Sequence, residues 1–385
     1  MPEIKPDLDS VAKIKVVGVG GGGNSALNRM IQAKVKGVDF IALNTDAQAL
    51  FNSLATTKLN IGKTITKGLG AGMDPELARR SAEESQNEIK DLLKGANMVF
   101  ITAGMGGGTG TGASPVVASV ARELGALTIA VVTRPFSFEG SVRAQVAQSG
   151  IDELKKNVDA IITIPNDRIL QIVDKKTTLV ESFMLADEIL KQGIQGISEI
   201  ITNNGIVNVD FADVKRIMKN SGTALMGVGH ASGENKAVDA AKSAINSPLL
   251  ETSIDGAKGI LFTVTGGPTL SMNEVNEAAK VVTESADPNA VIIFGAILDP
   301  TMKDEIKVTA IATGFDMVNP DKSVIAKRDF LKKDEKEEFD TPAEWRSKKI
   351  EVEKWKNTTN EVEEKVKEEE DESEIPAFIR KKMGE

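Results

Sequence analysis

Two glycine-rich strings offer main-chain donors where side chains would otherwise stand in the way. The first, GVGGGGNS at residues 18–25, follows an apolar stretch directly, and its Gly18, Gly20 and Gly23 satisfy G-x-G-x-x-G. That spacing lets the backbone approach an anion, while a helix expected from about Ala26 aims its free N–H groups at it. Asp46 stands near the end of the next apolar stretch, as in dinucleotide-binding units, so this loop taken alone fits a Rossmann-type oxidoreductase. The second string, GMGGGTGTGAS at residues 104–114, has six glycines in nine residues, interleaved with Thr109 and Thr111. A tight turn needs one or two glycines; the surplus, with two hydroxyls, suits a polyphosphate. A third cluster, TKGLGAG at residues 66–72, reads equally as a cover over the ligand or as a plain surface loop. Gly62-Lys63-Thr64 lacks the leading glycine of a P-loop, since position 57 is Thr57, so a Walker-type NTPase is excluded.

Neither phosphate loop supplies a base. Carboxylates occur elsewhere. In NVDFADV, Asp210 reads as a helix N-cap and Asp213, three residues on, as a complement to the helix dipole. Glu139 and Arg143 stand at i,i+4, the spacing of an ordinary helix ion pair. Phe183 and Asp187 share one helical face. That pairing suits either a base stacked on the ring and read by the carboxylate, or a core phenylalanine beside a solvated acid.

The elements that must position these groups alternate in type. IKVVGVG, VDFIALN, MVFITAG, LTIAVVT and AIITIP are Val/Ile-rich runs that read as buried strands. Between them lie helical stretches, including PELARRSAEESQNEIKDLLK read as one helix and SPVVASVARELG. Strands alternating with helices predict βαβ units and a parallel, Rossmann-like sheet. A long central helix follows; Gly193 and Gly196 inside it cost about 1 kcal/mol each against alanine and predict close packing on neighbours. Beyond it, KGILFTVTGG, AVIIFGAIL and EIKVTAIATG read as strands of a smaller α+β domain, the last two joined as a hairpin through DPTMKD. We therefore expect an N-terminal extension (1–12), a nucleotide-binding α/β domain (13–177), the central helix (178–205), an α+β domain (206–316), a charged linker (317–372) and a terminal peptide (373–385).

Composition limits the partners. The chain has 385 residues, a net charge of −9 and no cysteine, so thiol chemistry and zinc-thiolate sites are excluded. With no basic concentration, no tyrosine and both tryptophans late in the chain, nucleic-acid binding is not expected. The N-terminus lacks the apolar run of a signal peptide and no stretch is long enough to span a bilayer, so a cytoplasmic protein without direct membrane insertion is expected. Residues 321–374 carry 32 charged residues out of 54, too little apolar surface to offset ordering, which predicts a disordered tether. The end regains Ile375, Pro376, Phe378 and Ile379 beside Arg380, a docking-peptide pattern on such a tether, or else a frayed terminus.

GGGTGTG at residues 106–112 resembles the signature of the tubulin/FtsZ GTPase family. The likeness to its bacterial division branch extends over residues 12–315, through NTDAQAL, GLGAG, VVTRPFSFEG, IPNDR, NVDFADV, SGTALMG, SPLLETSI and TVTGG, and IPAFIR resembles the family's tail peptide. The resemblance implies a GTP-dependent, self-assembling GTPase whose head-to-tail filaments build a division ring. It implies that Gly20, Gly21, Gly22, Gly23, Asn24 and Ser25, with Gly104, Gly106, Gly107, Gly108, Thr109 and Gly110, cradle the phosphates of GTP or GDP, with Gly72 near the terminal one. Thr133 and Pro135 would lie by sugar and phosphates, Glu139 and Arg143 by the ribose, and Asn166, Phe183 and Asp187 at the guanine. Asp210 and Asp213, supported by Asn208, would act in trans on the adjacent subunit's nucleotide, with Mg²⁺ carried by phosphates and water. The terminal peptide would bind membrane-tethering adaptors such as FtsA. Ser25 and Ser141 depart from the family's usual asparagine and basic residue.

Overall fold

Strands buried on both faces need apolar residues at every position rather than at alternate ones, and the Met-Val-Phe-Ile run from Met98 to Ile101 is wholly buried. The structure, a computed structural model, describes residues 12–171, 177–202, 207, 209–247, 253–300, 302 and 304–315. Residues 1–11, Asn208, the linker and the terminal peptide lie outside them. In chain order the first half comprises β1 (Ile14–Val19), α1 (Gly20–Gln32), β2 (Val38–Asn44), α2 (Ala47–Phe51), β3 (Thr57–Asn60), α3 (Lys63–Thr66), α4 (Pro75–Glu84), α5 (Gln86–Leu93), β4 (Met98–Gly104), α6 (Thr109–Glu123), β5 (Leu127–Arg134), α7 (Ser141–Asn157), β6 (Ala160–Pro165) and α8 (Asn166–Ile169). The second half comprises α9 (Leu179–Thr202), α10 (Phe211–Met218), β7 (Gly222–Ser232), α11 (Lys236–Ile245), β8 (Gly259–Gly266), α12 (Met272–Glu284), β9 (Val291–Leu298) and β10 (Glu305–Thr313).

All ten strands join one sheet in the order β3-β2-β1-β4-β5-β6-β7-β10-β8-β9. The first six are parallel, and β6 hands over to β7 through three paired residues, from Ala160–Gly222 to Ile162–Ala224. One face of the parallel half of the sheet buries Val16, Phe100 and Ile129 against Leu27 and Met30 of α1 and Ile194 of α9. The other buries Val17, Ile101 and Val132 against Ile89, Val117 and Leu154 of α5, α6 and α7. A separate cluster packs α11 and α12 on β8 and β10 through Ala240, Ala244, Phe262 and Val308. The central helix packs as closely as its glycines predict: a methyl at Gly193 would come within 3.2 Å of Val131, and one at Gly196 within 3.0 Å of Thr309.

Several expectations are corrected. β9 and β10 do not form a hairpin; β10 runs antiparallel between β7 and β8, while β8 and β9 pair in parallel across the α12 crossover. The sequence of the connection allowed a local turn, yet the apolar faces of β10 are better covered inside the sheet. The stretch 75–93 is two helices, broken at Ser85, whose buried hydroxyl accepts the Gly62 N–H at 3.2 Å. α1 begins at Gly20, not near Ala26, so the first glycine string is its opening turn. β3 and β7 were not expected as strands at all.

β7 escapes notice because glycine interrupts it, and the structure supplies the reason. A methyl on Gly227 would lie 1.9 Å from the Ala244 carbonyl oxygen, and one on Gly229 2.0 Å from that of Ala240. Helix α11 rests directly on the strand. Gly227→Ala is expected to cost about 2–3 kcal/mol through this overpacking, seen as a lower urea midpoint; an unchanged midpoint would show that the helix shifts freely.

Candidate functional site

Two strand-to-helix turns meet at the carboxyl ends of β1 and β4. Gly20 opens α1 with φ +73, and a side chain on it would press within 2.9 Å of the Gly110 amide nitrogen in the first turn of α6. Gly23 sits so close to β4 that a methyl would come within 2.3 Å of the Thr102 carbonyl oxygen. These glycines bring two helix N-termini together over one space, and each terminus presents unpaired N–H groups and a partial positive charge. The space is a cavity of about 480 Å³.

Its glycine-rich end is lined by Gly21 and Gly22 of α1 and by Gly104, Gly107, Gly108, Thr109 and Gly110. Gly20, Gly23, Asn24, Ser25, Gly72 and Gly106 do not line it. Asn24 is buried with its Nδ2 turned toward the Leu43 carbonyl at 3.5 Å, and Ser25 is exposed on α1. Met73 takes the place expected for Gly72. The two threonine hydroxyls are already engaged: Thr109 Oγ1 lies 2.7 Å from Thr45 Oγ1, and Thr111 Oγ1 accepts the Gly106 N–H at 2.9 Å. Thr111 thus braces the loop rather than lining the cavity. Asp46 caps α2, accepting the Ala49 N–H at 2.9 Å, and does not line the cavity. The dinucleotide reading therefore loses its acidic partner.

The other end gathers Thr133 near the end of β5 and Pro135 just past it, Glu139 and Arg143, then Asn166, Phe183 and Asp187. The i,i+4 pair forms, with Arg143 Nη1 2.9 Å from Glu139 Oε2, while Glu139 Oε1 accepts the Phe136 N–H at 2.8 Å. Phe183 stands edge-on to Phe136 at 5.4 Å and leaves 42% of its surface exposed. Asn166 is buried, and its Oδ1 has no hydrogen-bond partner. An orphaned acceptor facing a cavity is costly unless a ligand donor meets it. Val19, Met105, Ala186 and Leu190 complete the lining; the sequence did not mark them, because apolar lining residues look like core.

Away from this cavity, Asp210 occupies the N-cap position of α10, but its side chain makes no capping bond. Asp210 and Asp213 are both exposed, and neither carboxylate has a hydrogen-bond or ion-pair partner among the described residues. Capping therefore does not account for Asp210. Among the described residues no group of three or more His, Cys, Asp or Glu side chains could hold a metal, and no described helix is long and apolar enough to cross a membrane.

Burial pushes the Asp187 carboxyl up to about 6, with the Arg29 guanidinium pulling the other way. An acid whose folded pKa is raised binds its proton more readily folded than unfolded, so its ionisation costs stability above pH 6 and this cost disappears as pH falls toward the acid's ordinary range. Asp187→Asn should accordingly raise the Tm of the ligand-free protein at pH 7.5 and flatten the pH dependence between about 4 and 6. An equal or lower Tm at pH 7.5 would contradict the burial argument.

Residues 13–174 match the GTPase domain of the tubulin/FtsZ family, and residues 222–316 match the C-terminal domain of the FtsZ family. Among solved structures, an FtsZ dimer from M. jannaschii is 44% identical, with 80% of this chain and 90% of that one covered at a TM-score of 0.77. A GDP-bound CetZ1 monomer from Haloferax volcanii is 19% identical, covering 81% of this chain and 97% of that one at 0.70. A GTPγS-bound CetZ2 protofilament from the same organism is 21% identical, covering 84% and 99% at 0.69; these two share the fold. The M. jannaschii protein is archaeal, so the likeness is not confined to bacterial proteins. With both domain matches in order and close identity across four-fifths of its length, the chain belongs to the FtsZ family and carries that family's GTPase domain.

Proposed function

We propose that the cavity binds GTP, that subunits stack head to tail into the filaments of a division ring, and that each nucleotide is hydrolysed by the Asp-bearing loop of the next subunit. The observation that carries this reading is the separation of the binding groups from the unengaged carboxylates. Glu139 and Asp187 are the acids lining the cavity, Glu139 is held by Arg143, and neither lies on the glycine loops. Asp210 and Asp213 stand exposed and unengaged on another element. Apolar surface supports stacking at both places. Met73 and Phe138 are 56% and 62% exposed beside the cavity, and Leu298, two residues past the bridge joining Ala296 to Val207, is 40% exposed. The M. jannaschii relative is itself described as a dimer.

In this reading the two glycine turns surround the phosphates through Gly21, Gly22, Gly104 and Gly107–Gly110, with Met73 beside them; Gly20, Gly23, Asn24, Ser25, Gly72 and Gly106 shape those turns from behind, and Glu139 and Arg143 hold the ribose. The Asp187 carboxylate accepts from guanine N1–H and the exocyclic amine, a donor pair adenine lacks. The free Asn166 Oδ1 accepts from the base edge as well, and Phe183 stacks on the ring. Asp210 and Asp213 of the neighbour, supported by Asn208, orient the attacking water and accept its proton as its oxygen adds to the γ-phosphorus and the bond to the β-phosphate oxygen breaks. Among the described residues no cluster of acids could hold a metal at the loops; a Mg²⁺ would be carried by the nucleotide's phosphates and water and would neutralise their charge. The terminal peptide, through Ile375, Pro376, Phe378, Ile379 and Arg380, docks on adaptors such as FtsA, which would hold cytoplasmic filaments at the inner face of the membrane.

GTPase activity per subunit should rise steeply with protein concentration, in step with light scattering. A constant specific rate far below the assembly threshold would refute the shared site. Asp213→Ala should still bind GTP and assemble, yet turn over at least about 100-fold more slowly per assembled subunit. Deleting residues 373–385 should leave assembly and hydrolysis intact and abolish adaptor binding in pull-down with purified FtsA; retained binding would place the docking element elsewhere.

A further inference from the structure

The helices that begin at the two functional elements end close to one another. α6 starts at Thr109 in the second glycine turn, and α10 starts beside Asp210. Between their C-terminal ends lies a second cavity of about 210 Å³, lined by Arg122, Gly125, Asp159, Lys215, Lys219 and Asn220 among others. Arg122 is aimed by its own hydrogen bonds: Nη1 donates to the Lys156 carbonyl at 3.1 Å and Nη2 to Asn220 Oδ1 at 3.2 Å. Lys215 and Lys219 form no ion pair with any described residue. The acid present, Asp159, is 6% exposed, and its carboxylate already accepts the main-chain N–H groups of Thr128 at 2.9 Å and Asn220 at 3.4 Å.

A basic residue in the last turn of each helix would be explained by the helix dipole. That accounts for Arg122 and Lys215 one at a time. Lys219, the C-cap of α10, falls under the same rule, but the dipole does not account for cations from two helices, in separate halves of the chain, facing one concave space. Three cations against one committed carboxylate repel each other, in a chain whose net charge is −9.

We propose that this cavity is a second anion site, separate from the nucleotide cavity, which takes a compact oxyanion of the phosphate class. A forked guanidinium and two ammonium groups are the side chains that bind such anions. A small concavity favours a tetrahedral oxyanion, with room for part of its water shell at roughly 30 Å³ per water, over an extended acidic peptide, which needs a groove. Bound there, the anion ties the end of α10 to the end of α6 and holds the carboxylate-bearing helix against the nucleotide domain. The site does not rest on hydrolysis in trans.

The test uses the full chain saturated with GDP, so that the guanine and diphosphate contacts are occupied. Inorganic phosphate is titrated at an ionic strength held constant with chloride, and unfolding is followed by calorimetry. A saturable rise in Tm is expected, with a midpoint on the order of millimolar. The double variant Lys215→Gln/Lys219→Gln should move that midpoint up at least about tenfold while its GDP affinity stays that of the wild type. Lys280→Gln, on α12 and outside the cavity, should leave the midpoint unchanged. No saturable rise in the wild type, or the same midpoint in the double variant because phosphate has entered beside GDP, overturns the proposal. So does an equal shift in Lys280→Gln.

Discussion

Everything at the nucleotide site depends on two polypeptide turns approaching with no side chain between them. The distance from the position of a Gly20 methyl to the Gly110 nitrogen, 2.9 Å, leaves no room for one. Because the turns touch, the N-terminal ends of α1 and α6 address the same volume, and main-chain N–H groups supply the anion-binding donors. The rest follows as support. The Thr109 hydroxyl ties the second turn to Thr45 just past β2, Thr111 fixes the Gly106 amide, and Gly23 lets α1 lie against β4. The parallel sheet behind them exists to deliver both turns to one edge.

Such a cradle binds charge well and has little chemistry of its own. Donors and partial positive charges stabilise phosphate, but they do not take a proton from water. Of the two described carboxylates that line the cavity, Glu139 is paired with Arg143 and Asp187 is partly buried away from the glycine turns, while Asp210 and Asp213 at the start of α10 stand exposed. If the missing groups come from a neighbour, hydrolysis becomes a property of the assembled state, and turnover reports on assembly. Binding and chemistry then sit on opposite partners of one contact.

Much of this was legible in the residues. Strands β1, β2, β4, β5 and β6 were marked by Val/Ile-rich runs, and the glycine strings marked both turns, because a side chain at Gly20, Gly23 or Gly110 would meet main chain within 3 Å. Strand β7 was hidden by Gly227 and Gly229, which lower strand propensity but are required by the contact with α11. The pairing of β10 was misjudged because a six-residue connection between strands fixes neither partner nor direction; the choice is made by which faces the rest of the sheet covers. At the site, Asn166 carried a resemblance but no local signal, and Asp187 only a helical face shared with Phe183, which suited a core phenylalanine beside a solvated acid as well. Their distinguishing features, an orphaned buried oxygen and a carboxyl raised by burial, exist only after folding. Asp210 shows the reverse case: its position suggested a cap, and the fold leaves its carboxylate unused.

The claim that the active centre is divided between two subunits is tested most directly by mixing two defective proteins. Asp213→Ala keeps its glycine turns and loses one carboxylate of its loop; Asp187→Ala keeps that loop and loses the acid proposed to read guanine. GTP turnover of each alone and of equimolar mixtures would be measured alongside co-sedimentation. The account predicts turnover in the mixture well above the sum of the separate rates, because the loop of one protein completes the cavity of the other. Co-assembled mixtures that hydrolyse GTP no faster than that sum would contradict it.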